Sequence, residues 1–214
     1  MSSQLERDKA RLFSILRSRI PSGKVIDAME RVPRELFVPE SKRHLSYEDM
    51  PLPIGEEQTV SQPHIVAMMT HALELKETDR ALEVGAGSGY QAAILSLLSG
   101  HVLSIERIPS LAERARDLLS YLGYANVEIR PAGSALGCPD EAPFDAIIVT
   151  AAAPALPRTL MEQMSDGGRM VIPAGSQQEQ SLIKVVKSGS VYSITNLGPC
   201  RFVPLMGKGG WDKV

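Results

Sequence analysis

The chain has 214 residues, a length that suits one ordinary globular domain. Hydrophobic residues make up 43% and charged residues 22%, which excludes a wholly disordered chain. The formal net charge of −2 offers no broad electrostatic surface for nucleic acid or an anionic membrane.

The first 60 residues open with helical patterning. Leu5, Leu12, Phe13 and Leu16 fall on one face, and Val25, Ile26 and Met29 form a second apolar stripe that Pro33 stops. Leu36–Pro39 and the Pro-rich run Met50–Gly55 follow, the latter reading as extended loop. From Ser61 the pattern alternates. Ile65, Met68, Met69, Ala72 and Leu73 mark a helix opened by Ser61 and Pro63. Ala81–Val84 reads as a strand, followed by a glycine-rich turn and a helix to Leu98, with Gly100 placed to end it. His101–Glu106 is a second strand, Pro109–Leu122 a helix closed by Gly123, and Val127–Arg130 and Phe144–Thr150 are further strands. The last of these is a continuous apolar run, as buried parallel strands show. Leu156–Met164 reads as helix, Gly167–Gly168 as a break and Arg169–Pro173 as a strand. Three short β-like runs then lie around Leu182–Val186, Val191–Leu197 and Arg201–Leu205. Strand–helix alternation with a β-rich end predicts a doubly wound α/β sheet, mostly parallel, with an antiparallel edge. The division expected is a helical and loop extension over 1–60, an α/β core over 61–175 and a β-rich tail over 176–214, all within one domain.

Outside these elements the sequence says little. Ala92–Leu98 and Ala146–Leu156 are too short and too interrupted to span a bilayer. The opening residues have no apolar core after their charges, so they do not read as a secretion signal. Cys138 and Cys200 lack the spacing of a disulfide framework or a zinc site, and no metal is expected. A reduced, cytoplasmic protein is the expectation.

The stretch Glu83-Val-Gly85-Ala-Gly87-Ser-Gly89-Tyr90 is the most informative. It joins a strand to a helix, where backbone approaches a ligand and side chains would obstruct it. Its spacing is GxGxG. A dinucleotide fingerprint needs Gly or Ala at position 90, where Tyr90 stands, and a P-loop needs the absent Gly-Lys-Ser/Thr. The loop therefore suits a nucleoside without a pyrophosphate, of which S-adenosylmethionine is the usual one. Glu106 ends the next strand, where a carboxylate can accept both ribose hydroxyls. Its plainer reading is a solvated charge paired with Arg107.

A transferase using that cofactor must bring a nucleophile in line with the sulfonium methyl. An amine or hydroxyl acceptor calls for a base, whereas an ionised carboxylate does not. Thr150-Ala-Ala-Ala-Pro154 lacks the Asn/Asp-Pro-Pro-aromatic cluster of base-amino methylation, and His44, His64, His71 and His101 are scattered. These observations lean towards an acid acceptor.

Val32–Pro39, Tyr47 with Asp49, Pro51–Gly55, Gln58–Pro63, Leu82–Ala93, Ser104–Ile108, Ala142–Ala152 and Arg201–Leu205 cover nearly the whole chain in one order. In that order the sequence resembles the protein-L-isoaspartate (D-aspartate) O-methyltransferases. The resemblance implies a seven-stranded sheet of the methyltransferase type, with its last strands exchanged in order. It implies methyl transfer from S-adenosylmethionine, leaving S-adenosylhomocysteine, to the α-carboxylate of isoaspartyl residues in damaged proteins. The ester then collapses to a succinimide, which can reopen to aspartate. A monomer without nucleic-acid or membrane partners is expected. By resemblance, Ser61 is the catalytic hydroxyl, although a Ser before a helix can equally be an N-cap. Thr59, Val60, Val203, Pro204 and Leu205 would line the substrate cleft. Glu83, Gly85, Gly87, Gly89, Glu106, Gly133 and Ser134 would hold the cofactor.

Two positions depart from the family. Ala132-Gly133-Ser134 stands where the family has Gly-Asp-Gly, whose Asp accepts a hydrogen bond from the adenine amino group. Glu56-Glu57 replaces a pair that commonly includes Gly, adding negative charge where an anionic substrate enters. A relative that methylates an aspartate of a dedicated peptide or partner, and a non-catalytic relative weakened at Gly133, are the alternatives.

Overall fold

The computed structural model describes residues 3–211. Helices α1 (Ser3–Arg19) and α2 (Gly23–Arg31) bury the two stripes read from the sequence, with Leu12, Phe13, Leu16, Val25, Ile26 and Met29 all in the core. Two 3-10 turns, Arg34–Leu36 and Glu40–Leu45, lead to a hairpin of β1 (Leu52–Gly55) and β2 (Gln58–Val60). The run expected to be loop is therefore paired. Leu52 and Ile54 point inward while Pro53 and Gly55 point out, an alternation that the prolines obscured.

The remaining elements build one sheet. They are α3 (Pro63–Ala72), β3 (Arg80–Val84), α4 (Tyr90–Ser96), β4 (His101–Glu106), α5 (Pro109–Tyr121), β5 (Val127–Pro131), β6 (Phe144–Val149), α6 (Arg158–Met161), β7 (Met164–Gly175), β8 (Gln180–Ser188) and β9 (Val191–Cys200). Their order across the sheet is β5-β4-β3-β6-β7-β8-β9. The first five run parallel, and β8 is antiparallel to both of its neighbours. The resemblance placed an exchange at this end, where β8 and β9 add in chain order. Chain direction reverses between β3, which leads outward through β4 to β5, and β6 on its other side. The carboxyl ends of β3, β4 and β6 therefore open onto one crevice, the ligand position of doubly wound sheets.

Three further expectations change. The helix over Leu156–Met164 shortens to α6, because Pro157 fixes its start and the chain from Met164 joins β7. Gly167–Gly168 is no break: both residues lie inside β7, where the register against β6 slips between Phe144 and Ala146. Arg201–Leu205 is not a sheet strand. It crosses the carboxyl ends, with Ala152 N–H donating to Val203 O and Leu205 N–H to Ala152 O, both at 2.8 Å.

Candidate active site

A cavity of about 670 Å³ opens over the carboxyl ends of β3, β4 and β6, within the size range of small-molecule sites. Thr59, Val60, Ser61, Glu83, Gly85, Gly87, Glu106, Gly133, Ser134, Val203, Pro204 and Leu205 all line it. Of the expected residues only Gly89 stands apart. It precedes α4 with φ +86°, and a β-carbon there would meet Ala115 and Leu119 of α5 at 3.2–3.4 Å. Its missing side chain lets two helices pack and does not face the cavity.

Gly85 and Gly87 differ from Gly89 in that they border the cavity itself. Gly85 has φ +102°, and a β-carbon there would collide with Thr150 Oγ1 at 2.3 Å. Thr150 follows β6, and its single hydroxyl hydrogen is shared between Gly85 O at 2.6 Å and Val84 O at 3.1 Å. It was not singled out in the sequence, although the rule that ligands gather at the switch point of the sheet leads to it. Gly87 has φ +54° and donates its N–H to Glu106 Oε2 at 2.9 Å. The other Glu106 oxygen accepts the Ile108 N–H at 2.9 Å. Glu106 is thus held by backbone rather than paired with Arg107, and each oxygen keeps a free lone pair.

Glu83 is a second carboxylate beneath the loop and is fully buried. Ser104 Oγ donates to its Oε2, while Oε1 has no partner. Burial pushes its pKa up to about 8, helped by the charge of Glu106 and opposed by the Ser104 hydrogen bond. An unpartnered buried carboxylate oxygen at a cavity is a socket for a cation or donor from a ligand. The set fits S-adenosylmethionine: bare glycine backbone, an anchored carboxylate for a diol and a buried acid for an ammonium.

On the acceptor side, Ser61 is not the N-cap of α3. Gln62 occupies that position without a side-chain bond, and Asp49 Oδ1 accepts the His64 N–H at 2.8 Å from outside the helix. Among the described residues no hydrogen bond engages the Ser61 hydroxyl, and its carbonyl accepts from Arg34 Nη2 at 2.8 Å. Val203–Leu205 are fixed opposite by their bonds to Ala152, whose carbonyl also accepts Trp211 Nε1–H at 3.0 Å. Glu56 and Glu57 form the turn of the β1–β2 hairpin at φ +53° and +57°, left-handed values that glycine meets without cost. Glu57 lines the cavity, whereas Glu56 accepts a hydrogen bond from Ser110.

The family described as Protein-L-isoaspartate(D-aspartate) O-methyltransferase matches residues 7–210. The chain belongs to that family. It is 48% identical over 209 residues to Protein-L-isoaspartate O-methyltransferase 1 of Syntrophobacter fumaroxidans, covering 98% of each chain. To the Protein-L-isoaspartate O-methyltransferase of Desulfosudis oleivorans it is 52% identical over 199 residues, 93% of this chain and 90% of that one. A solved protein-L-isoaspartate O-methyltransferase superimposes with a TM-score of 0.84 at 30% identity, over 94% of this chain and 67% of the other. A putative one from Plasmodium falciparum, in complex with S-adenosyl-L-homocysteine, gives 0.78 at 26% identity over 90% and 95%. Membership of the protein-L-isoaspartate O-methyltransferase family makes the chain an S-adenosylmethionine-dependent protein carboxyl methyltransferase. It favours isoaspartyl damage over a dedicated aspartyl acceptor as the substrate. Among the described residues no helix is long and apolar enough to cross a membrane.

Proposed function

We propose that the cavity joins S-adenosylmethionine and an isoaspartyl α-carboxylate, with Glu83, Gly85, Gly87 and Glu106 on the cofactor and Thr59–Ser61 and Val203–Leu205 on the substrate. When bound, the cofactor supplies an electrophilic sulfonium methyl. Glu106 accepts hydrogen bonds from the ribose hydroxyls, and Glu83 receives the ammonium. Gly133 and Ser134 flank the adenine. The Ser61 hydroxyl, unspent on the protein, donates to one oxygen of the substrate carboxylate and orients the other. Val60, Val203 and Leu205 exclude water around the reacting atoms. No side chain needs to remove a proton, since the acceptor is ionised at neutral pH.

The observation that carries the reading is that residues from the Gln58–Pro63, Leu82–Ala93 and Arg201–Leu205 motifs line one cavity. The parts act as one methyltransferase domain: the extension over 1–60 supplies the acceptor hairpin, 61–175 the cofactor site, and the β-rich tail from 176 adds two edge strands and the segment Arg201–Leu205 that crosses the cleft. Its products are consumed in repair of damaged proteins, and the enzyme works as a cytoplasmic monomer. The test is methyl incorporation from labelled S-adenosylmethionine into matched isoaspartyl and aspartyl peptides. Label should enter the isoaspartyl peptide alone. Equal labelling of both would replace this reading with that of a general carboxyl methyltransferase.

A further inference from the structure

Arg34 is the largest fully buried side chain of the protein. It lies behind the acceptor side of the cavity and does not line it. Its Nε donates to Ser46 O at 2.9 Å and its Nη2 to Ser61 O at 2.8 Å, while Nη1 is buried without a partner. The guanidinium covers the Tyr90 ring, with Cζ 4.7 Å from the centroid. One side chain therefore ties three segments together: the end of the second 3-10 turn, the acceptor loop and the start of α4 just past the glycine loop.

Such a site asks for an explanation. A buried cation is costly unless a carboxylate or equivalent compensates it, and this guanidinium forms no ion pair among the described residues. Burial pulls its pKa down, with Tyr90, Tyr47 and Asp49 opposing, and a guanidinium stays charged throughout. Two backbone carbonyls and one aromatic face could be served by a neutral side chain. A fixed charge one carbonyl away from Ser61 does more: in a site shielded from water it raises the potential at an acceptor anion.

We propose that Arg34 is a positioning residue that holds the Ser61 loop and lends it the positive potential that selects an ionised acceptor carboxylate. The inference rests on the acceptor assignment above. Its atoms do not touch the substrate. The effect passes through the Ser61 backbone and through space.

The test compares two ligands titrated into the enzyme saturated with S-adenosylhomocysteine: an isoaspartyl peptide and the same peptide with that α-carboxylate converted to a carboxamide. The wild-type protein should prefer the carboxylate. Arg34→Lys should keep most of that preference, and Arg34→Met should lower it by about tenfold, or ~1.4 kcal/mol. A purely structural role would weaken both peptides alike and leave their ratio unchanged. An unchanged ratio in Arg34→Met, or an equal loss in Arg34→Lys, overturns the proposal. Should Arg34→Met fail to fold, Asp49→Asn keeps the question open to measurement. It removes the carboxylate that partly offsets Arg34 and keeps an amide oxygen for the His64 N–H, so the preference should rise, and an unchanged preference counts against the proposal. A wild-type protein that fails to methylate the isoaspartyl peptide would instead remove the reading on which the inference rests.

Discussion

Gly87 holds two duties in one backbone unit: a left-handed turn at φ +54° and an N–H aimed at Glu106 Oε2. A β-branched residue adopts that φ only with strain on the order of 1–3 kcal/mol, and its β-carbon would press on Ile54 Cδ1 at 3.4 Å. Gly87→Val should therefore weaken S-adenosylhomocysteine at least tenfold, because relaxing the turn moves both the bare backbone and the carboxylate it anchors. Calorimetric titration reads this, and unchanged affinity would release the loop from its assigned role. Gly133 poses the opposite case. Its φ lies outside the left-handed region and a β-carbon there meets nothing within 4 Å, so a side chain enters without strain. With the cofactor held as proposed, Gly133→Asp places a carboxylate beside the adenine. A hydrogen bond to a charged acceptor contributes about 1.5–3 kcal/mol when shielded. With partial exposure about tenfold in affinity remains. The gain should appear for S-adenosylhomocysteine and vanish for the analogue that lacks the adenine amino group. Equal gains for both would mean that position 133 does not read that group.

At the scale of elements, the places where periodicity succeeded and failed have separate physical causes. Helices α1, α2 and α5 were legible because each buries one apolar stripe, and β6 because burial on both faces leaves the apolar run Ala146–Val149; β3 and β4 are buried strands too, interrupted only by the polar residues Glu83 and Ser104 and ended by Glu106. The β1–β2 hairpin was not, because its turn uses two glutamates at positive φ in place of glycine. The length of β7 was hidden too. Its first half, Met164–Gly168, contains two exposed residues and two glycines, and only pairing with β6 makes it a strand. What anchors β7 is a side chain. Arg169 donates to Leu73 O at 2.8 Å and Glu74 O at 3.0 Å beyond α3 and to Asp145 O at 3.1 Å in β6. It also forms a buried ion pair with Asp79, just before β3. Replacing one partner of such a pair strands the other charge, which costs about 3–5 kcal/mol. Asp79→Ala should lose that much in urea unfolding. A loss below 1 kcal/mol would show that the carbonyls alone satisfy Arg169.

For the molecule as a whole, the sheet and the residues around its crevice could be read from the sequence, since loop glycines and strand-end carboxylates sit at positions set by topology. Their electrostatic state could not, because it depends on which oxygen is left unpartnered in three dimensions. Glu83 is the clearest case. Its folded pKa is raised from 4.5 to about 8, with burial the main cause, so between those values the native state binds a proton that the unfolded chain has released. Stability from this group is therefore greatest below pH 4.5 and falls as pH rises towards 8, with a slope approaching ~1.4 kcal/mol per unit. Glu83→Gln keeps an oxygen to accept from Ser104 and has no proton to lose. The variant should be more stable than wild type at pH 8, by a margin that narrows towards pH 5 in urea titrations. A bound ammonium reverses the balance by favouring the carboxylate, so S-adenosylhomocysteine binding at pH 7 should release protons from the wild-type protein. Calorimetric enthalpies should then differ between phosphate and Tris for wild type and coincide for Glu83→Gln. Stability profiles that run parallel for the two proteins, together with equal buffer dependence, would place the ammonium elsewhere in the cavity and leave Glu83 as a neutral part of the core.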